Sequence, residues 1–287
     1  MRRWLPCLLL IALSCGGGAK RPLVIGSKNF TESVLLGEIV AQRLEASGCS
    51  VERRLNMGGT FVCDAAITSG ALDSYVEYSG TALTAILKQP IPDDPSKVDP
   101  AVRERYRRRG LVWGPALGFN NTFAMIVRQS DAQKLGLKTI SDLARVADRF
   151  RPGFGYEFAA RPDGWDGLLK AYSLAFSNSP RTMDLGLTYK AVAAGDVDLI
   201  AGNSTDGLIA SLRLVVLTDD RHYFPPYAAT IVSRTDLDGK CSGARAALDR
   251  LSQTIDDATM RRLNFEVDGR KRDVAVVARE FLATVRK

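Results

Sequence analysis

The stretch "AAITSGALDSYVEYSGTAL" (65–83) lies without a gap over "KAVAAGDVDLIAGNSTDGL" (190–208), and the reading of this pair decides the fold. Gly70 falls on Gly195, Asp73 on Asp198, Tyr78 on Asn203 and Ser79 on Ser204. Each copy reads as a helix, a Gly-x-x-Asp turn, an apolar strand and a Ser/Thr/Gly turn that opens another helix. Helix-turn-strand units often look alike, which is the bland explanation. The sharper one is two α/β lobes of related build, each offering a strand end and a helix N-terminus to a shared cleft, where open α/β sheets bind ligands.

The flanking sequence extends this pattern. Apolar runs of strand length alternate with helical spacing: "PLVIG", a helix over 31–46, "SVERRLNM", a helix over 61–69, "DSYVEY", a helix over 80–88. Such alternation predicts βαβ units on a mostly parallel sheet. Thr31 and Thr60 stand where N-caps belong. Two further strand-like runs, "NNTFAMIVR" near 120 and "YAATIVSR" a hundred residues later, bracket a second lobe and serve as the two hinge crossings. Lobe 1 then comprises 22–122 plus 228–287, and lobe 2 comprises 123–227. The last helical stretch, "DVAVVAREFLATVRK", places apolar residues at 274, 277, 281, 282 and 285 and packs on lobe 1.

The N-terminus carries an export signal. Arg2 and Arg3 precede an apolar run from Trp4 to Leu13, too short to span a membrane, and Ser14-Cys15 follows at the cleavage position. Residues 1–14 are read as a signal peptide and 15–21 as a linker. The segment resembles a bacterial lipoprotein box with lipid on Cys15, although Ala12 stands where that box usually has Leu. Cleavage removes two arginines, so the formal charge of +7 becomes +5. With no clustered basic face, this argues against nucleic acid. Of the remaining cysteines, Cys49, Cys63 and Cys241 allow one disulfide at most. Spacing favours Cys49 with Cys63, and a buried free thiol is an equal alternative for each.

Catalytic groups are hard to place. Gly26-Ser27-Lys28 follows a strand and precedes a helix, but the glycine spacing of a phosphate loop is absent. The chain's one histidine, His222, lies in the Pro-rich turn "DDRHYFPPY". Asp219-Asp220 and Asp256-Asp257 read as loop and capping residues. No nucleophile elbow, metal spacing or cofactor motif occurs. A two-lobed exported chain without a catalytic group reads as a binder, not an enzyme.

"GSKNFTESVLLGE", "GGTFVCDAAITSGALDSYVEYSGTALTAIL", "LGFNNTFAMIVR", "EFAARPDGWDGLLKAY", "STDGLI", "LTDDRHYFPPYAA" and "LNFEVD" run in order from about residue 22 to the C-terminus. Together they resemble the solute-binding proteins of osmoprotectant ABC importers, the glycine betaine, carnitine and choline binders. The resemblance implies a two-lobed periplasmic-binding-protein fold of type II, the Venus flytrap. It implies a monomer without cofactor that delivers a small zwitterion to an ABC permease and, through it, to a cytoplasmic ATPase. It also implies that Lys28, Thr81 and Arg161 hold a ligand carboxylate. The quaternary ammonium would sit in an aromatic box, since ring faces attract a cation without a hydrogen bond. Tyr78 and Tyr227 match two walls, and Phe123 stands at a third without the hydroxyl. Asn203 stands where a fourth ring is expected, and Asn121 lines the cleft in place of an acid.

Glycine betaine is the default ligand on this reading. The open fourth wall also suits a larger betaine such as ergothioneine or carnitine. Choline fits less well, because Lys28 and Arg161 would remain unpaired beside a cation. A ligand-sensing receptor of the same fold is the alternative class.

Overall fold

Leu23–Gly26 (β1) is a run of four buried residues, as expected for a strand covered on both faces. It sits in the first of two five-stranded sheets in the computed structural model, which describes residues 21–92 and 94–285. The export signal and Cys15 lie outside the described residues. β1 leads into α1 (Thr31–Ala46), and Val51–Arg54 (β2) returns parallel to β1. After α2 (Thr60–Ser69), Ser74–Tyr78 (β3) lies parallel on the other side of β1. Leu111–Asn120 (β4) completes the outward path through this lobe.

The chain then crosses. Phe123–Arg128 (β5) begins the second sheet two residues after β4, followed by Pro152–Gly155 (β6), Arg181–Met183 (β7), Leu199–Asn203 (β8) and Leu214–Leu217 (β9). Ala228–Arg234 (β10) returns to the first sheet. The strand orders are β2-β1-β3-β10-β4 and β7-β6-β8-β5-β9. The two lobes therefore share one plan, as the internal echo implies. At the crossings, Asn121 N donates to Tyr227 O at 3.1 Å, and Tyr227 N donates to Asn120 Oδ1 at 2.6 Å.

The sheets are mixed rather than mostly parallel. β10 is antiparallel to β3 and β4, and β5 is antiparallel to β8 and β9. The cause is the crossings. Strands β1, β3, β6 and β8 end at the cleft, whereas a strand arriving from the other lobe starts there and must run the opposite way.

The echoed residues do the same work twice. Gly70 and Gly195 end their helices in the left-handed region, with φ of 81° and 82°, where a side chain would be strained. Asp73 Oδ2 accepts from Val24 N at 2.8 Å, and Asp198 Oδ2 accepts from Arg151 N at 3.1 Å. Each aspartate thus pins the strand beside its own. Tyr78 and Asn203 are the last residues of β3 and β8.

Helices cover both faces of each sheet. One face of the first packs on α1 and the C-terminal helices, with Leu35, Ile39, Ile231, Met260 and Phe281 in one apolar cluster. The helix Val274–Thr284 buries Val277, Ala278 and Phe281 there, as its spacing predicts. The opposite face packs on α2, with Cys63, Ile67, Tyr106 and Trp113.

Three local expectations need correction. Thr31 and Thr60 are first helical residues, preceded by Phe30 and Gly59 at the cap positions, and their hydroxyls reach Asp268 and Glu157 instead. The helix over 80–88 is a single turn, Ser79–Thr81, that widens to a π-helix over Ala82–Ile86. Cys49 pairs with Cys241 and not with Cys63. Cys49 and Cys63 belong to clusters on opposite faces of the first sheet, so the short sequence between them does not bring them together. Burial pushes the free Cys63 thiol up to about 12, which leaves it unreactive.

The disulfide closes a loop with a sequence separation of 192, joining the turn after α1 to the segment after β10. Cross-links over long loops restrict the unfolded chain most. Cys241→Ser should lower the unfolding free energy by about 2 to 5 kcal/mol, measured by chemical denaturation.

Candidate functional site

All eight residues expected at the binding site line one cavity of about 160 Å³ between the lobes. Lys28 follows β1, Tyr78 ends β3, Asn121 lies in the first crossing, and Phe123 starts β5. Thr81 lies in the helical turn after β3, Arg161 after the short helix Tyr156–Ala160, Asn203 at the end of β8 and Tyr227 just before β10. Strand ends from both sheets therefore converge on one space. His222 is exposed in its turn.

Lys28 is 2 % exposed, so it is neither solvated nor free. Its Nζ donates to Glu77 Oε1 at 2.5 Å, and lies 5.1 Å from the centre of the Tyr78 ring. Glu77 is itself fully buried on β3. Burial raises its pKa above the usual carboxylate range, and the Lys28 charge and hydrogen bond oppose that rise. A lysine ammonium has three N–H donors, so the pair with Glu77 leaves donors for a ligand.

Arg161 is held more tightly. Its Nε donates to Asp163 Oδ1 at 2.8 Å and its Nη2 to Asp163 Oδ2 at 2.5 Å, a two-point fork. Nη1 donates to Thr81 Oγ1 at 2.9 Å, which leaves the Thr81 hydroxyl hydrogen for another acceptor. Burial would raise the Asp163 pKa, but the Arg161 fork and the Tyr227 and Thr84 hydroxyls bring it below the ordinary value. The guanidinium also lies 4.8 Å from the Phe123 ring centre and 5.8 Å from that of Tyr227. Each aromatic wall thus already faces one of the protein's own cations. The expectation that Lys28 and Arg161 would stand unpaired beside choline fails, because both have buried carboxylate partners.

Four features were not anticipated. Glu157 lines the cavity; burial favours its neutral form, but the charges of Lys28 and Arg161 and the Thr60 hydroxyl hold its pKa below the usual range. Phe30 and Phe158 add apolar wall. Glu32, 1 % exposed, accepts from the Tyr78 hydroxyl and Asn121 Nδ2, each at 2.7 Å. The sequence marks Glu157 only by its place four residues before Arg161, and Glu32 only as an acid in the first turn of α1.

Asn203, the residue expected in place of a fourth ring, lines the cavity. Its backbone N–H donates to Asp206 Oδ2 at 3.0 Å, and the Tyr189 hydroxyl donates to the same oxygen. Asp206 lines an adjoining cavity of about 390 Å³ that shares Asn29, Phe30, Asp184 and Leu185 with the first. Among the described residues no cluster of His, Cys, Asp and Glu has the arrangement of a metal site.

This geometry defines a class of protein: two α/β lobes joined by two crossings, closed on a cavity with paired cations, an ionised carboxylate and aromatic walls, the build of a solute-binding protein. Residues 21–284 match the family model described as "Substrate binding domain of ABC-type glycine betaine transport system", and the chain belongs to that family. It is 37% identical over 266 residues to an ergothioneine transport permease/ergothioneine binding protein of Helicobacter pylori (strain G27). That match covers 92% of this chain and 47% of the relative, so the chain spans about half of that protein's length. It is 33% identical over 271 residues to a carnitine transport binding protein of Listeria monocytogenes serotype 1/2a (strain 10403S), covering 93% and 88% of the two. A crystal structure described as a glycine betaine/carnitine/choline ABC transporter superposes with a TM-score of 0.75 at 32% identity, over 91% of this chain and 97% of that one. Among the described residues, no helix is long and apolar enough to cross a membrane.

The site also makes a pH prediction. Burial raises the Asp206 pKa to about 7, against the hydrogen bonds from Tyr189 and Asn203. A carboxyl whose folded pKa is raised contributes most below its ordinary value and loses that contribution as pH climbs through the folded one. Stability should therefore fall between about pH 4 and pH 7 on account of Asp206. Asp206→Asn should flatten that fall, so that its melting temperature gains on the wild type from about pH 5 to about pH 8 in thermal scans.

Proposed function

We propose that this protein binds a small zwitterion, with a carboxylate and a quaternary ammonium as in glycine betaine, in the cleft between its lobes, and delivers it to an ABC permease coupled to a cytoplasmic ATPase. It binds without chemical change and works outside the cytoplasm, anchored through lipid on Cys15. The observation that carries the reading is that the cavity presents both signs of charge. Lys28 from the first lobe and Arg161 from the second face it with N–H donors left over, and the ionised Glu157 faces it beside Arg161. A zwitterion answers both at once. Its carboxylate takes Lys28, Thr81 and Arg161, and its ammonium takes Glu157 and the remaining ring faces of Tyr78, Phe123 and Tyr227.

Thr81 is the cleaner probe of this arrangement. Arg161→Ala or Lys28→Ala would strand a buried carboxylate, at a cost of about 3 to 5 kcal/mol in folding, and would report on the fold as much as on the ligand. Thr81→Val keeps the shape and strands no carboxylate; it removes the donor to the ligand and, with it, the oxygen that accepts from Arg161 Nη1. Calorimetric titration should show glycine betaine weakened by about 1.5 to 3 kcal/mol, the range for a hydrogen bond to a charged group, with choline little changed. Equal losses for both ligands, or a wild type that ignores glycine betaine, would overturn the assignment.

A second reading is a larger betaine with a hydrogen-bond donor at its far end. Asn121 Oδ1 is buried without a donor among the described residues. Its amide orientation is set, because Nδ2 must face the Glu32 carboxylate. Glycine betaine has no N–H or O–H to offer that carbonyl, whereas carnitine has a hydroxyl and ergothioneine a ring N–H. The adjoining cavity, which meets the first at Asn29, Phe30, Asp184 and Leu185, and the short Asn203 side chain leave room for the extra length. Asn203→Tyr should then weaken carnitine and ergothioneine by about 1 to 3 kcal/mol through overpacking, while glycine betaine gains from the added ring. The same calorimetry reads both.

The anchor has its own test. Cys15→Ser should abolish incorporation of labelled fatty acid and move the protein from the membrane to the soluble fraction. An unlabelled, soluble wild type would overturn the anchor alone.

A further inference from the structure

Two buried carboxylates outside the cavity are built alike. Glu32, on α1 of the first lobe, accepts from Tyr78 Oη at 2.7 Å and from Thr205 Oγ1 at 2.5 Å. Thr205 follows β8 in the second lobe. Asp163, in the second lobe, accepts from Tyr227 Oη at 2.6 Å and from Thr84 Oγ1 at 2.9 Å. Thr84 lies in the helical turns after β3 of the first lobe, and its hydroxyl is shared with the Gly80 carbonyl at 2.9 Å. Glu32 and Asp163 are 1 % and 3 % exposed.

Each carboxylate is saturated. Glu32 takes its remaining donors from Asn121 and from Asn264 Nδ2, the latter at 2.9 Å, and Asp163 takes its own from the Arg161 fork. Four donors match the lone-pair sites of a carboxylate, so loss of one leaves a buried acceptor short. Parting of the lobes removes Thr205 from Glu32 and Thr84 from Asp163. It also breaks the bond from Asn264 to the Thr205 carbonyl.

We propose that Glu32 and Asp163 are reciprocal positioning residues: each orients one cleft tyrosine and holds a threonine hydroxyl of the opposite lobe, so that presentation of the rings and closure of the lobes are one event. Both phenols stay protonated and donate, since burial first and the neighbouring carboxylate second raise their pKa values. Glu32, Asp163, Thr84 and Thr205 stand outside the cavity lining, so they act through Tyr78 and Tyr227 rather than on a ligand.

The device is made of protein groups alone and acts with or without ligand, so it rests on the betaine reading only in its affinity arm. Thr205→Val combined with Thr84→Val keeps volume and removes both cross-lobe donors, whereas Thr205→Ser and Thr84→Ser restore the hydroxyls without the methyl groups. Small-angle scattering of the ligand-free protein should give a larger radius of gyration for the valine pair and the wild-type value for the serine pair. Glycine betaine affinity should fall about tenfold or more in the valine pair and recover in the serine pair. A ligand-free radius of gyration identical in wild type and the valine pair would overturn the proposal, as would a valine effect that serine fails to reverse. A valine pair that opens, beside a wild type that binds neither glycine betaine nor carnitine, would overturn the betaine reading and leave the positioning role standing.

Discussion

Charge buried in a closed cleft has to be balanced there, because removal of an ion from water costs several kcal/mol even after relaxation. This constraint organises the centre of the molecule. Lys28 is answered by Glu77, Arg161 by Asp163, and both cations hold Glu157 ionised at the cavity wall. The cations were read as waiting for a ligand; in the fold they are already neutralised and still have hydrogens to give. Beyond these two pairs Glu157 adds one negative charge, which the ammonium of a zwitterion can answer while its carboxylate takes the spare hydrogens of Lys28 and Arg161.

The aromatic residues belong to the same arrangement. Tyr78 stacks near Lys28, and Phe123 and Tyr227 stack near Arg161, while the two tyrosine hydroxyls end on buried carboxylates. A ring that touches a cation on its face and a carboxylate at its edge has little freedom to turn. Rigid walls lose little entropy when a ligand arrives, which is how preorganisation adds to affinity.

The fold supplies this convergence through its crossings. Strand ends from both sheets meet at the cleft, and the two hinge segments lie side by side with their backbones bonded between Asn121 and Tyr227. Residues from four separate parts of the chain, near 28, 78, 121 to 123 and 227, therefore line one cavity. The duplicated Gly-x-x-Asp turns at 70–73 and 195–198 set the strands that carry Tyr78 and Asn203.

The sequence by itself determined a good deal. Apolar period and turn residues are local signals, so β1, β2, β3, β5, β8 and β10, α1, α2, the terminal helix and the duplicated lobe plan were legible, whereas β4, β6, β7 and β9 were not singled out, and a family resemblance placed eight residues that do line one cavity. What only the tertiary structure decided depends on distance in space. The direction of β5 and β10 follows from where the chain re-enters a sheet. The bond from Cys49 to Cys241 follows from which face of the first sheet each cysteine occupies. The partners of Lys28 and Arg161, and the reach of Glu32 to Thr205 across 173 residues, follow from burial. A carboxylate in the first turn of a helix has the same local signature whether it faces water or a cleft, and only packing tells the two apart.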